Sequence, residues 1–263
     1  MTTAFEQTPP SDYLTRLAAS DLGRGYKAFV VREMGIQRGH TVLDLGCGPG
    51  ADLRALAESV GPSGAVIGLD NDQEAVEHAR QAVADLPTVD ARTGDIHQLD
   101  LPDGSVDRTH TDRVLQHVAD PSRVLMEVHR ILAPTGCAVF AEPDWDTLVI
   151  DFPRPEVAVA YRRFITDRVV RNSRIGRQLP RLAEAVGLKV TRVVPVTAVF
   201  RDANEADKLL GFHRVTQRAV AAEYLTPAEA DEWLGLLASA PFFAAMTLFV
   251  VVAGASTPIP SPQ

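Results

Sequence analysis

Val42-Leu43-Asp44-Leu45-Gly46-Cys47-Gly48-Pro49-Gly50 is an apolar run that breaks into three glycines within five positions. Leu53, Leu56 and Val60 then recur at helical spacing. A strand that turns on glycines and opens a helix begins a βαβ unit, and glycine there allows a tight turn and close backbone approach to a ligand. Beyond a Gly-Pro-Ser-Gly break, residues 64–70 form a second apolar strand that ends on Asp70, and 72–85 reads as a helix with Asp72 as N-cap. Strands are predicted near 89–93, over 106–111 and over 136–142, with a helix over 121–132 opened by Asp120-Pro121, a cap followed by a first-turn proline. Strands alternating with helices of this length imply a parallel sheet in one α/β domain.

The C-terminal part has a different rhythm. Helices are predicted over 155–170 and 176–186, a strand over 188–200, two helices within 204–240, and a strand over 242–253 whose continuous apolar run fits burial on both faces. The expected layout is a single domain over 11–255. Within it, 11–35, 145–186 and 201–240 lie outside the sheet pattern and are expected to form a helical lid with substrate elements. Polar, Pro-containing tails are expected at 1–10 and 256–263.

Composition narrows the partners. Lys and Arg number 26 against 34 Asp and Glu, a formal charge of −8, which argues against nucleic acid because phosphate neutralisation needs a basic face. Two cysteines make no disulfide scaffold, and the seven histidines show no ligand spacing with Cys or His, so no metal is expected. The start has no basic segment followed by an apolar one, and the apolar stretch from Phe242 to Ala255 is shorter than the roughly 18–20 residues of a membrane span. A cytoplasmic protein without membrane contact is expected, with a homodimer left open.

Three acids sit at strand positions: Asp44 inside the first strand, Asp70 after the second, Asp95 after the third. An acid closing the second strand suits ribose hydroxyls, and an acid followed by an apolar residue, Asp95-Ile96, suits an adenine amino group and ring face. The glycine spacing alone also admits NAD. The extra acids oppose a pyrophosphate but suit a ligand bearing sulfonium and ammonium charges, and no Tyr-x-x-x-Lys spacing for hydride chemistry is present.

VLDLGCGPG (42–50), GLD ending at Asp70, GDIHQLDLPDGSVD (94–107) and RVLQHVADPSRVLMEVHRILAPTGCAVFAE (113–142) together resemble the class I S-adenosylmethionine (SAM)-dependent methyltransferases. Within these the chain is similar to the broad group that includes the ubiquinone/menaquinone-biosynthesis methyltransferases, over roughly residues 38–145. The resemblance implies a Rossmann-like seven-stranded sheet with an antiparallel last strand and helices on both faces. It implies SAM as cofactor and S-adenosylhomocysteine as product. Gly46, Cys47 and Gly48 would line the methionine part, Asp70 and Asn71 the ribose, Asp95 and Ile96 the adenine, and Thr111 and Arg113 would flank the methionine moiety. The Asn-Pro-Pro-aromatic and Pro-Cys motifs of DNA methylating enzymes are absent after the fourth strand.

The acceptor is expected beyond the carboxyl ends of strands four and five, where Arg113, His117, Glu142, Asp144 and Trp145 fall. Methyl transfer from a sulfonium needs alignment and exclusion of water, and a base only where the acceptor sheds a proton. His213 and Asp144 are the expected proton acceptors. Tyr13, His117, Trp145 and His213 are the expected substrate contacts, with Tyr26 as a second tyrosine able to close over the cofactor. The expected activity is methyl transfer to a small, partly apolar organic acceptor in metabolite biosynthesis. The alternatives are a SAM-binding cyclase or rearrangement catalyst and, less favoured, an NAD-dependent oxidoreductase.

Overall fold

A computed structural model describes residues 21–239 and 241–255, with side chains from Gly25 onward. Tyr13 and both expected tails fall outside the described residues. The strands are β1 (Thr41–Leu45), β2 (Ala65–Asp70), β3 (Val89–Thr93), β4 (Val106–Asp112), β5 (Leu132–Ile150), β6 (Leu188–Phe200) and β7 (Ala244–Ala255). They form one seven-stranded sheet in the order β3-β2-β1-β4-β5-β7-β6. β1 pairs in parallel with both β2 and β4, so the strand order reverses there and a cleft opens beyond their carboxyl ends. β7 runs antiparallel between β5 and β6. Its apolar run is explained by alternation: Val250 and Val252 enter one core, Val251 and Ala253 the other.

Helices α1 (Asp21–Glu33), α2 (Leu53–Val60) and α3 (Gln73–Ala82) cover one face, where Val30, Leu53, Leu56 and Ala79 pack on Val42 and Val66. Helices α4 (Pro121–Ile131) and α6 (Ile175–Ala185) cover the other. Asp120 caps α4 by accepting from the Arg123 amide at 3.1 Å, and Asp72 caps α3 through the Glu74 amide at 2.9 Å. Among the described residues no helix is long and apolar enough to cross a membrane.

The remaining helices form a cap with its own core. They are α5 (Pro155–Phe164), which runs into a π-helical turn over Ile165–Val169, α7 (Ala203–Leu210), α8 (Phe212–Ala221) and α9 (Pro227–Ser239). The structure therefore divides 203–239 into three helices rather than two, because Gly211 adopts φ +60° between α7 and α8. Within the expected lid segment 145–186, residues 145–150 continue β5 and α6 packs on the sheet. The extended ends of β5, β6 and β7 pair with one another, Ile150 with Ala244 and Phe200 with Ala244, and carry the cap. Trp233 is its centre, with ring centroids 4.8 Å from Phe152, 5.1 Å from Tyr161 and 6.1 Å from Phe212. Since Trp233 is fully buried, Trp233→Ala is expected to destabilise the chain by about 3–5 kcal/mol, read by urea denaturation, with Trp233→Phe retaining most of that stability.

Candidate active site

A cavity of about 710 Å³ lies beyond the carboxyl ends of β1 to β4. One half is bordered by Gly46, Gly48, Asp70, Asn71, Gly94, Asp95 and Ile96, the other by aliphatic groups of β6, β7 and the cap, including Val196, Ala198, Leu210, Val215, Met246 and Leu248. Asp112, Arg113, Gln116 and His117 border it as well, from the end of β4 and the loop that follows.

The polar half is built on the glycine loop. The amides of Gly46 and Cys47 both donate to the Leu69 carbonyl, at 2.7 and 2.9 Å, which folds the loop against the end of β2. A Cβ on Gly46, at φ +73°, would stand 2.3 Å from a methyl of Val114. Gly48, at φ +52°, has nothing within 4 Å of where a Cβ would stand, so its backbone is bared to the cavity. Its amide donates to Asp70 Oδ2 at 2.8 Å, and the Asp72 amide donates to Asp70 Oδ1 at 3.0 Å. Asp95 Oδ1 accepts the His97 amide at 2.9 Å, and with the His97 ring beside it this holds the carboxyl below its ordinary range. Two carboxyl groups beside a bare backbone suit a ligand rich in hydroxyl and amino donors. Arg113, which also borders the cavity, is paired with Asp112.

Beneath this half lies a buried charge cluster. His110 Nδ1 and Asp44 Oδ1 are 2.7 Å apart, with both side chains 3% exposed. Burial disfavours the charged ring, but Asp44, Asp52 and Asp112 outweigh it and push His110 up to about 9. Lys27 of α1 donates to Asp52 and lies 3.3 Å from Asp112. Asp112 also accepts from the Tyr26 hydroxyl and, at 3.0 Å, from Arg113 Nε. Burial opposes its ionisation, and Arg113, Lys27 and His110 overcome that, holding it well below the usual carboxylate range. Asp44, Asp52 and His110 place ligand-capable atoms within 4.8 Å of one another, but Lys27 and the His110 ring already occupy these carboxylates.

Arg113 has φ +59°, a conformation that side-chain-bearing residues seldom adopt, and its amide donates to the Ala141 carbonyl at 2.8 Å. The loop it begins is clamped by fully buried Glu142, which accepts the Val114, Leu115 and Gln116 amides at 2.8, 2.6 and 3.2 Å. Burial pushes that carboxyl up to about 8 against the pull of the three amides. Asn172 Nδ2 donates to the Leu115 and Val118 carbonyls, and Gln116 Oε1 accepts from Trp145 Nε1 at 2.8 Å. His117 thereby opens onto the cavity from a fixed loop, and partial enclosure together with Arg113 lowers its imidazole below the ordinary value.

Of the residues expected at the cofactor, Gly46, Gly48, Asp70, Asn71, Asp95, Ile96 and Arg113 border the cavity. Cys47 and Thr111 do not: Cys47 packs into the sheet core, where burial pushes its thiol well up, and Thr111 is buried within β4. Of the acceptor-side residues, His117 and Trp145 border it. Asp144 lies beneath, fully buried and ion-paired with Arg177, whose Nη2 is 2.9 Å from Oδ1. His213 is beside Gln217 on α8, away from the cavity lining, because Phe212, Val215, Thr216 and Ala219 form the buried stripe of that helix. Arg214 and the part of the aliphatic wall that β6 and β7 supply were not anticipated. The apolar period of α8 is the signal that would have separated Val215 from His213.

Residues 36–180 match a family model described as a methyltransferase domain. A protein of Streptomyces fradiae, described as an uncharacterized 37.1 kDa protein in transposon TN4556, is 53% identical over 254 residues, 96% of this chain and 74% of that one. A demethylmenaquinone methyltransferase of Staphylococcus aureus is 30% identical over 139 residues, which spans 53% of this chain and 58% of that protein. Among solved structures, the YcgJ protein of Bacillus subtilis has the same fold, with a TM-score of 0.66 over 89% of this chain and 99% of that one at 18% identity.

The His110 proton gives a pH signature. A ring that holds its proton up to about 9 when folded, against an ordinary 6.5, contributes stability that is full below pH 6.5 and lost as pH rises through 9. His110→Gln is expected to be less stable than the parent at pH 6, by up to about 3 kcal/mol, with the gap closing by pH 9.5. Denaturant titrations of both proteins across that range measure the gap, and a pH-independent gap would show that the ring carries no extra proton.

Proposed function

Because the chain belongs to the class I SAM-dependent methyltransferases, we propose that it methylates a small, partly apolar organic acceptor, a biosynthetic metabolite, held in the aliphatic half of the cavity. The observation that carries this reading is the division of one cavity into a carboxylate-lined end and an aliphatic end that meet at Arg113 and His117. When bound, SAM supplies a methyl group already activated by its sulfonium.

Gly46 and Gly48 offer backbone approach, Asp70 with Asn71 accepts the ribose hydroxyls, and Asp95 accepts the adenine amino group above Ile96. The fit rests on the bare Gly48 backbone and on two carboxylates that face the cavity and, among the described residues, pair with no Lys or Arg. Arg113 closes the methionine end and keeps Asp112 ionised there. Trp145, oriented by Gln116, walls the acceptor, and the cap excludes water, which is where most of the rate gain in such a displacement arises. Where the acceptor sheds a proton, His117 takes it on its unprotonated imidazole nitrogen, since enclosure keeps that ring neutral at neutral pH. His213 and Asp144 have no part in this scheme: one stands off the cavity and the other is bound to Arg177. The acidic balance and an aliphatic cavity wall speak for a small molecule over nucleic acid.

Calorimetric titration with SAM, S-adenosylhomocysteine and NAD tests the cofactor, and methyl-labelled SAM with an acceptor screen by mass spectrometry tests the transfer. Binding without any labelled product across the screen would favour a cyclase or rearrangement catalyst instead. Asp70→Ala is expected to weaken S-adenosylhomocysteine by about 1–3 kcal/mol, and unchanged affinity would remove Asp70 from the ribose role. His117→Ala is expected to lower kcat by about 10²–10⁴ with S-adenosylhomocysteine affinity intact. The acid limb of the parent's kcat profile should fall below the ordinary imidazole value, and it should vanish in the variant.

A further inference from the structure

We propose that the acceptor is an amphipathic anion, an aliphatic or flat apolar body ending in a carboxylate or phosphate that pairs with Arg214. The inference rests on the methyl-transfer reading above and names its substrate class. Arg214 borders the aliphatic half of the cavity from α8, next to Leu210 and Val215. Its guanidinium lies over Gly211, where a Cβ would come within 3.2 Å of Nη2.

The charges around the cavity single it out. Arg113 is bound to Asp112 at 3.0 Å. Asp70 and Asp95 stand at the opposite, glycine-loop end. Asp207, the carboxylate whose field reaches Arg214, is partly buried and accepts the Phe212 amide. Among the described residues Arg214 itself takes part in no ion pair or hydrogen bond. An exposed cation that makes no direct ion pair or hydrogen bond among the described residues, set beside an otherwise aliphatic wall, matches a ligand with one anionic end, and an arginine fork recognises planar carboxylate or phosphate oxygens. A neutral acceptor would fill the aliphatic wall equally well but would leave this end unmatched.

The test uses the full chain saturated with S-adenosylhomocysteine, with Trp145 at the cavity wall providing the fluorescence signal. Octanoate, octyl phosphate, octanol and octylamine are titrated against the parent, Arg214→Gln and Arg214→Lys. The parent is expected to bind one or both anions roughly three- to tenfold more tightly than octanol, and octylamine most weakly, as befits a solvent-accessible ion pair. Arg214→Gln should bring octanol and the anions to within twofold, Arg214→Lys should keep the preference, and neither should alter S-adenosylhomocysteine affinity. The better of the two anions identifies a carboxylate-bearing or a phosphorylated acceptor. Equal binding of octanol by the parent, a preference that survives in Arg214→Gln, or no binding of any of the four overturns the proposal. Failure to bind S-adenosylhomocysteine would strike the methyl-transfer reading beneath it.

Discussion

Three carboxylates with almost no water around them, Asp44, Asp52 and Asp112, must be neutralised where β1, α2 and β4 converge. Leaving such charges unpaired would cost several kcal/mol each, so the surroundings are committed to supplying cations. His110 answers from the neighbouring strand, and Lys27 reaches across from α1. Arg113 answers from the first residue past β4. The same demand places Tyr26 on Asp112 at the cavity wall, so α1 is bound to the cofactor end by charge as well as by the packing of Val30 and Met34. The backbone strain at Arg113 belongs to this arrangement. Its left-handed turn lets the amide stay on the Ala141 carbonyl while the side chain returns to Asp112.

The two halves of the cavity rest on different supports. The glycine-loop half is built from residues that directly follow β1, β2, β3 and β4, whose positions the parallel ladders fix. The aliphatic half hangs from the ends of β5, β6 and β7 beyond the reach of β4 and from a cap with a separate core around Trp233. Between them, Glu142 and Asn172 clamp the loop that carries His117. Cap residues can therefore change without moving the glycine loop, which is the layout expected where one donor site serves differing acceptors.

Local signals made the glycine-loop half of the cavity legible, because its residues follow strands in order and lie beside a glycine or an acid at a strand end. β7 was legible from its unbroken apolar run. The end of β5 was not, since Pro143 reads as a strand breaker. The structure shows why it is tolerated. The β4 ladder stops at Ala141, whose carbonyl takes the Arg113 amide, and Pro143 faces the same side two residues on, where no strand is left to need its missing N–H. Lys27 and Tyr26 could not be read from sequence as partners of Asp52 and Asp112, since they are 25 and 86 positions away. His213 was drawn from residue type and its place in the expected lid, whereas the phase of α8 buries Phe212, Val215, Thr216 and Ala219, and Arg214 and Val215 border the cavity instead.

The distribution of charge along the cavity bears on the chemistry as well as on binding. Carboxylates at one end favour a cationic donor there, while the aliphatic end offers little to hydrate a charge. A displacement at a sulfonium removes the positive charge from sulfur, and where the acceptor sheds a proton that charge leaves with the proton, so a group able to receive it is needed nearby. In the proposed scheme His117 meets that need, because a ring kept neutral by partial enclosure and by Arg113 would add no positive charge beside the donor before transfer and could take one up as it proceeds. The carboxylate cluster at the end of β4 then has a second consequence. By holding Arg113 on Asp112 it keeps that guanidinium from presenting an uncompensated positive charge to the cavity.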